Sequence, residues 1–198
     1  MKLTVNAFLT LDGVMQGPGS ADEDTSGGFA GGGWMINHMD PAVARIATEW
    51  FDFGDALLLG RTTYELLWPY WQDALDPLDL VADHINRMPK YLVSTTLTDP
   101  GWNNTRLIRG DVLAGVQEIK AHGTGEVQVH GSYQLARSLY DAGLVDGYRL
   151  LILPVTVGAG KRLFNSAADL GDYALTRKET TDSGALAVTL VHRAADSS

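Results

Sequence analysis

The sequence predicts an α/β fold: a mostly parallel central sheet with helices on both faces and an antiparallel hairpin at its C-terminal end. Three observations point there. Strand-like and helix-like apolar patterns take turns along most of the chain, which builds parallel strands joined by crossover helices. The last strand-like segments instead follow one another, and Asp182-Ser183-Gly184 between two of them is a hairpin signal. A chain of 198 residues that is 45% hydrophobic and 20% charged can fill one core.

Leu3, Val5, Ala7 and Leu9 share one face of a two-residue period, so residues 2–9 read as the first strand. From Gly13 to Asp40 the pattern stops. Glycines at 13, 17, 19, 27, 28, 31, 32 and 33 suggest a long functional loop, with a disordered insertion as the plainer alternative. Pro41 suits a first helical turn, and Val43, Ile46, Ala47, Trp50 and Phe53 give an amphipathic helix. Ala56 to Leu59 is an apolar run typical of a strand covered on both faces.

Tyr64, Leu67, Trp68 and Trp71 form the next helical stripe. The Thr62-to-Glu65 spacing predicts a capping box at its start, and Pro69 a stop or kink. Residues 78–88 suggest helical turns and Tyr91 to Ser94 a strand. Asp111 caps a helix carrying Val112, Val116 and Ile119, residues 126–130 form a strand, and Leu135, Ala136, Leu139 and Tyr140 another helix. Residues 147–153, 173–181 and 185–193 are strand-like. One domain over residues 1–193 is expected, with 194–198 a frayed tail.

The net charge of −9 repels phosphate backbones and anionic lipid, so neither nucleic acid nor membrane is expected as a partner. The segment from Asp12 to Asp55 sharpens this, with eight acidic residues against Arg45 alone. The absence of cysteine excludes disulfides and thiolate chemistry. Met1 to Val5 enters a strand pattern directly, with no leader-like segment, and no apolar run is long enough to span a bilayer. A cytoplasmic protein follows as the expectation.

In open α/β sheets ligands bind beyond the carboxyl ends of strands, where glycine admits close approach and helix N-termini offer free amides to anions. Three segments have that form. In Gly60-Arg61-Thr62-Thr63-Tyr64-Glu65 a buried strand meets a planar cation and two hydroxyls, although a plain capped helix with a surface arginine reads the same way. Ser94, Thr95 and Thr96 cluster where a strand ends. Gly131-Ser132-Tyr133-Gln134-Leu135 is a strand-to-helix turn with Ser132 in the capping position, where a pyrophosphate would fit, although an ordinary strand-to-helix turn reads the same way.

Other templates fail. Gly158-Ala159-Gly160-Lys161-Arg162 lacks both the first glycine and the final hydroxyl of a phosphate loop, and Leu163 breaks the dinucleotide fingerprint. Histidines 38, 84, 122, 130 and 192 contain no i, i+4 ligand pair, so no metal site is expected. No serine sits in a hydrolase elbow.

Together these segments resemble the cofactor motifs of the dihydrofolate reductase superfamily. Leu11-Asp12-Gly13-Val14-Met15, Leu144-Val145-Asp146 and Pro154-Val155-Thr156-Val157-Gly158-Ala159-Gly160-Lys161-Arg162-Leu163-Phe164 narrow the resemblance to the C-terminal reductase domain of riboflavin biosynthesis. It spans nearly the whole chain. It implies a three-layer dihydrofolate reductase-like fold and an NADPH-dependent reductase resembling 5-amino-6-(5-phosphoribosylamino)uracil reductase, acting on a small heterocyclic or carbonyl substrate. By position, Arg61 and Ser94 with Thr95 would hold the adenosine 2′-phosphate region of NADPH and Gly131, Ser132, Tyr133, Gln134 and Leu135 the pyrophosphate, with Gly60, Thr62 and Thr63 as further cofactor-binding residues.

The resemblance also implies a homodimer, and the sequence departs from the bifunctional enzymes in showing no deaminase portion with its zinc ligands, so a stand-alone reductase-like protein is expected. A folate enzyme carries a carboxylate near the position of Ala44, and Asp40 and Glu49 only flank it. Folate reduction is therefore the alternative, with a cofactor-binding homologue lacking turnover as another. On the substrate side, Asp12 is the candidate catalytic group, to orient substrate or relay a proton, or else simply to open an Asp-Gly turn. Asn6, Trp34 and Trp50 are candidate substrate contacts. Trp34 either closes over the ligand or anchors the glycine-rich loop, and Lys161 and Arg162 either take a substrate phosphate or balance the acidic surface.

Overall fold

The computed structural model describes residues 1–72, 80–164 and 171–193. Its strands are β1 Lys2–Thr10, β2 Ala56–Gly60, β3 Lys90–Val93, β4 Thr105–Ile108, β5 Glu126–His130, β6 Gly147–Leu153, β7 Tyr173–Thr180 and β8 Leu186–His192. They form one eight-stranded sheet in the order β4-β3-β2-β5-β1-β6-β8-β7. Every neighbouring pair from β4 to β6 is parallel, and β8 runs antiparallel to both β6 and β7. This is the mostly parallel sheet with an antiparallel C-terminal hairpin that the alternation predicts. Gly184, at φ +83°, supplies the left-handed residue of the hairpin turn.

The helices are α1 Pro41–Asp52, α2 Arg61–Gln72, α3 Leu80–Arg87, α4 Val112–His122 and α5 Tyr133–Asp141. Leu3, Val5, Ala7 and Leu9 of β1 pack with Val116 of α4 and Leu135, Ala136 and Leu139 of α5. Phe8, on the opposite face of β1, packs with Val43, Ile46 and Trp50 of α1. Beside α1, Tyr64 of α2, Ile85 of α3 and Met88 just after it cover Leu57, Leu59 and Leu92. The period of two therefore places one hydrophobic set under each helical layer. Asp40 and Asp111 cap α1 and α4, accepting from the amides of Val43 at 2.7 Å and Ala114 at 3.1 Å.

Several expectations need correction. The α2 helix begins at Arg61, directly after β2, and not behind a Thr62 cap. Glu65 is drawn to Arg61 at i, i+4, 3.3 Å away, so it does not reach back as a capping box requires. Pro69 lies on an exposed face and α2 continues past it to Gln72. Ser132 does not cap α5; its hydroxyl serves β2, as described below. Strand β4 was not expected: it is a four-residue edge strand whose side chains alternate without a clear apolar set. Of the expected helical turns at 78–88, α3 accounts for the part from Leu80, while residues 78 and 79 lie outside the described residues, as does the expected tail at 194–198. No helix among the described residues is long and apolar enough to cross a membrane.

The glycine-rich loop is folded onto the sheet. Phe29 and Trp34 are buried with Val14 against α1, and the Trp34 indole Nε1 donates to the Gln16 carbonyl at 2.8 Å. Gln16 donates to the carbonyls of Asp24 and Ser26 and accepts from the amide of Lys161. A Cβ on Gly32 would stand 2.7 Å from the Ser20 carbonyl oxygen, so that close crossing of two loop strands requires glycine.

Candidate functional site

In the sheet order the carboxyl ends of β3, β2, β5 and β1 stand side by side. The turn after β5 carries two consecutive left-handed residues, Gly131 at φ +56° and Ser132 at φ +45°. The second costs an L-residue about 1–2 kcal/mol, so something must hold it. Two hydrogen bonds do. The Gly60 amide donates to Ser132 Oγ at 3.0 Å, and the Ser132 amide donates to Thr63 Oγ1 at 2.9 Å. The turns after β2 and β5 are thereby bolted together.

The first intrahelical bond of α5 runs from the Ala136 amide to the Ser132 carbonyl. The amides of Tyr133, Gln134 and Leu135 precede it and have no partner within the helix, the arrangement that attracts anions. Arg61, half-exposed and loosely paired with Glu65 at 3.3 Å, stands at the end of β2. At the end of β3, Ser94 is buried and its Oγ accepts from the amides of Thr96 and Leu97, leaving its hydroxyl hydrogen free to donate elsewhere. Thr62, Thr95 and Gln134 are exposed, and Leu135 points its side chain into the core. Arg61, Ser94, Thr63, Gly131 and Ser132 thus lie along one row of strand ends.

Next to this row the sheet parts. β1 and β5 pair from Lys2 with Glu126 to Asn6 with His130, where β5 ends, while β1 continues to Thr10 against β6 alone. The edge of Ala7–Leu9 that faces away from β6 therefore borders a notch, closed at Thr10 by the bond from its amide to the Val14 carbonyl, and Asn6 and His130 form its floor. Adjacent parallel strands that part in this way make the crevice in which α/β folds bind ligands. The floor is polar. Gln128 donates through Nε2 to the Trp50 carbonyl at 2.6 Å and to Glu126 at 2.8 Å, and its Oε1 meets His130 Nε2 at 2.9 Å. Arg149 holds Glu126 with two bonds, at 2.5 and 2.9 Å. Phe51 stacks on the His130 ring at 4.3 Å and 3°.

Burial, assisted by the charge of Arg149, pushes the His130 imidazole down to about 3. A histidine ordinarily near 6.5 then stays neutral in the folded chain but takes up a proton on unfolding. Its contribution to stability is complete above about pH 6.5 and is lost as pH falls from there toward 3. Between pH 6 and 4.5 we expect a slope of about 1.4 kcal/mol per pH unit from this residue, absent in His130→Leu, read from urea denaturation of both proteins.

Asp12 closes the far side of β1. It accepts from Thr10 Oγ1 at 2.6 Å, from the amides of Gly158 at 2.9 Å and Val157 at 3.3 Å, and pairs with Arg162 at 3.2 Å. The Thr10 hydroxyl, then the Gly158 and Val157 amides, hold its carboxyl at about 2 against partial desolvation. An anion so committed orients the 157–162 loop and has no proton to give near neutrality. Lys161 pairs with Asp24 at 2.6 Å and Ser26 at 2.7 Å, and lies 5.9 Å from the Tyr133 ring. Both cations of that loop are thus bound to acidic groups of the glycine-rich segment and its approach.

Trp34 is pinned under the loop, and Trp50 is buried between Phe8, at 5.4 Å, and His130, at 6.5 Å. Trp50 also lines a groove of about 200 Å³ with Phe53, Arg149, Arg177 and Thr189. No cluster suited to a metal ion occurs among the described residues. His130 and Gln128 were missed from the sequence. Their signal was a polar pair at i, i+2 on an otherwise apolar strand, which only burial turns into a site.

The family model of the RibD C-terminal domain matches residues 1–188. The chain belongs to the RibD C-terminal domain family. YyaP of Bacillus subtilis, a protein of uncharacterised function, is 26% identical over 191 residues, covering 94% of this chain and 93% of its own length. A candidate riboflavin biosynthesis protein from Shewanella sp. PV-4 has the same fold, with a TM-score of 0.67 at 17% identity over 98% of this chain and all of the other.

The diaminohydroxyphosphoribosylaminopyrimidine deaminase/5-amino-6-(5-phosphoribosylamino)uracil reductase of Thermotoga maritima aligns with a TM-score of 0.64 at 13% identity. That alignment covers 97% of this chain but 56% of the bifunctional protein. The architecture is therefore the dihydrofolate reductase-like fold shared with these proteins, and membership of the RibD C-terminal family points to a reductase-like role.

Proposed function

We propose that this RibD C-terminal family protein is an NADPH-dependent reductase of a small heterocyclic substrate, with the cofactor lying across the ends of β3, β2 and β5. The observation that carries the reading is the pair of left-handed residues Gly131 and Ser132, bolted to Gly60 and Thr63 beside Arg61. That arrangement opens the first amides of α5 to a diphosphate and fits the group chemically. Bound there, NADPH would supply a hydride.

The protein's own residues bind and orient. Arg61 offers a fork for the ester phosphate on the ribose, Ser94 a hydroxyl hydrogen with Thr95 beside it, and Tyr133, Gln134 and Leu135 their amides to the diphosphate. The notch above Asn6 and His130 accepts the reacting ring, and the folded 13–40 loop limits water at its rim. Asp12 acts through the 157–162 loop that it holds. The lack of a carboxylate at the Ala44 position of α1 argues against folate: Ala44 stands exposed, Asp40 is committed to the amides of Val43 and Ser183, and Glu49 to Arg45 and Arg177. A uracil-type substrate related to that named for the Thermotoga enzyme is the closest chemical fit. One domain over residues 1–193, a homodimer and a cytoplasmic location belong to the same reading.

Titration with NADPH and NADH, followed by cofactor fluorescence, tests it. We expect NADPH to bind more tightly than NADH, and Arg61→Ala to weaken NADPH alone. Losing charge-assisted bonds worth about 1.5–3 kcal/mol corresponds to roughly 10- to 150-fold in Kd. No binding of either nucleotide, or an Arg61→Ala variant indistinguishable from wild type, would refute the proposal.

A further inference from the structure

Lys90, the first residue of β3, is a buried charge without a counter-ion. Its side chain is fully buried, and Nζ donates to the carbonyls of Met88 at 2.9 Å and of Asn86 and Asn103 at 3.2 Å. It also stands 4.7 Å from the centre of the Trp102 ring. All of these partners are neutral, and no carboxylate pairs with Lys90 among the described residues. Burial pushes its pKa down from 10.5 to about 8, the direction expected of a cation that neutral dipoles only partly compensate.

The wall around this ammonium faces a cleft of about 520 Å³ at the amino ends of β3 and β4, lined by Arg87, Trp102, Asn103, Asn104, Thr105 and Arg106. That volume suits a small molecule. Although the chain carries a net charge of −9, no Asp or Glu lines the cleft. Arg106 is exposed, and its guanidinium has no partner among the described residues. Arg87 pairs at the surface with Asp83, one turn back on α3. Thr105 Oγ1, in the same wall, is buried and makes no hydrogen bond, an unused donor of the kind a ligand satisfies.

One feature opposes an anion: Arg87 is the last residue of α3, so the negative end of that helix borders the cleft. Its carbonyls are covered, however. Asn86 O accepts from Lys90 Nζ and from Asn104 Nδ2 at 3.3 Å, and Arg87 O from Asn104 Nδ2 at 3.1 Å.

We propose that this cleft binds a phosphate group, free or carried on a small molecule, through the Arg106 and Arg87 guanidinium groups and in the field of the Lys90 ammonium behind them. The anion supplies the counter-charge that Lys90 lacks, and the three terminal oxygens of a phosphate monoester can engage two planar forks at once. The cofactor row lies at the carboxyl ends of the strands and this cleft at the amino ends of two of them, so the site is separate from the reductase reading and does not rest on it.

Backbone and indole 1H–15N NMR of the whole protein at pH 7 tests it, with inorganic phosphate and glycerol 2-phosphate titrated separately at constant ionic strength. The amides of residues 103–106 and the Trp102 indole N–H should shift saturably. Tighter binding of the ester assigns a phosphorylated molecule, and tighter binding of the free ion assigns inorganic phosphate. Arg106→Ala, an exposed truncation, should weaken the better probe roughly tenfold or more, as expected for loss of charge-assisted hydrogen bonds. Lys90→Met, which removes the charge and keeps the length of the side chain, should weaken it too; Arg106→Ala keeps the test decisive where that core change prevents folding. The same shifts with chloride alone, no saturable shift at 103–106, shifts confined to 131–136, or unchanged affinity in Arg106→Ala would each overturn the proposal. NADPH affinity of Arg106→Ala should match wild type, and a parallel loss would merge the two sites and overturn it as well.

Discussion

Trp34→Ala is expected to cost about 3–5 kcal/mol, the range for truncating a large buried aromatic side chain, out of the roughly 5–15 kcal/mol that stabilises a typical domain. The indole is 8% exposed, packs with the Val14, Phe29 and Val43 cluster and donates to the Gln16 carbonyl. Gln16 in turn ties Asp24, Ser26 and Lys161 together, so the loss reaches well beyond one side chain. Urea denaturation gives the stability, and limited proteolysis should show cleavage between residues 17 and 33 appearing in the variant. Trp34→Phe keeps most of the packing and should cost about 1 kcal/mol for the hydrogen bond alone. A Trp34→Ala protein as stable as wild type and equally resistant to protease would show that the indole does not anchor the loop.

Gly131→Val should weaken NADPH binding by about two orders of magnitude while lowering stability more modestly. At φ +56° a side chain is strained by about 1–2 kcal/mol, and a Cβ there would already touch Thr63 Cγ2 at 3.4 Å. The branches of valine would press on Thr63 and disturb the bond from the Ser132 amide to Thr63 Oγ1 that aims the start of α5. Losing one or two charge-assisted bonds to a diphosphate accounts for the expected change in affinity. Gly110→Ala is the control: its φ of +74° imposes comparable backbone strain, with nothing within 4 Å of the added Cβ. It should lower stability without altering NADPH binding. Equal effects of the two substitutions on affinity would remove the turn after β5 from the cofactor site.

The sheet and most helices were legible because their signals are local. Leu3, Val5, Ala7 and Leu9 alternate, Asp111 precedes an apolar stripe, and Asp182-Ser183-Gly184 marks a reversal. Strand β4 was not, because a four-residue edge strand carries too few positions to establish a period. The capping box misled because the Thr62-to-Glu65 spacing is also satisfied inside a helix whose Arg61 competes for the same carboxylate. The three turns were recognised as separate motifs, yet their direct linkage through Ser132 Oγ and Thr63 Oγ1 joins residues 72 and 69 positions apart. No local pattern encodes such a contact. The same holds for the Asn6–His130 floor, created by strand pairing across 124 positions, and for Asp12, whose partners lie on the 157–162 loop.

Hydrogen–deuterium exchange of the whole protein with and without saturating NADPH tests the location of the site most directly. Protection should appear at 60–65, 94–97 and 131–136, with a further effect along Ala7–Leu9 at the notch. Protection centred instead on the groove lined by Phe53, Arg149, Arg177 and Thr189, with the three strand-end turns unchanged, would contradict the proposed site.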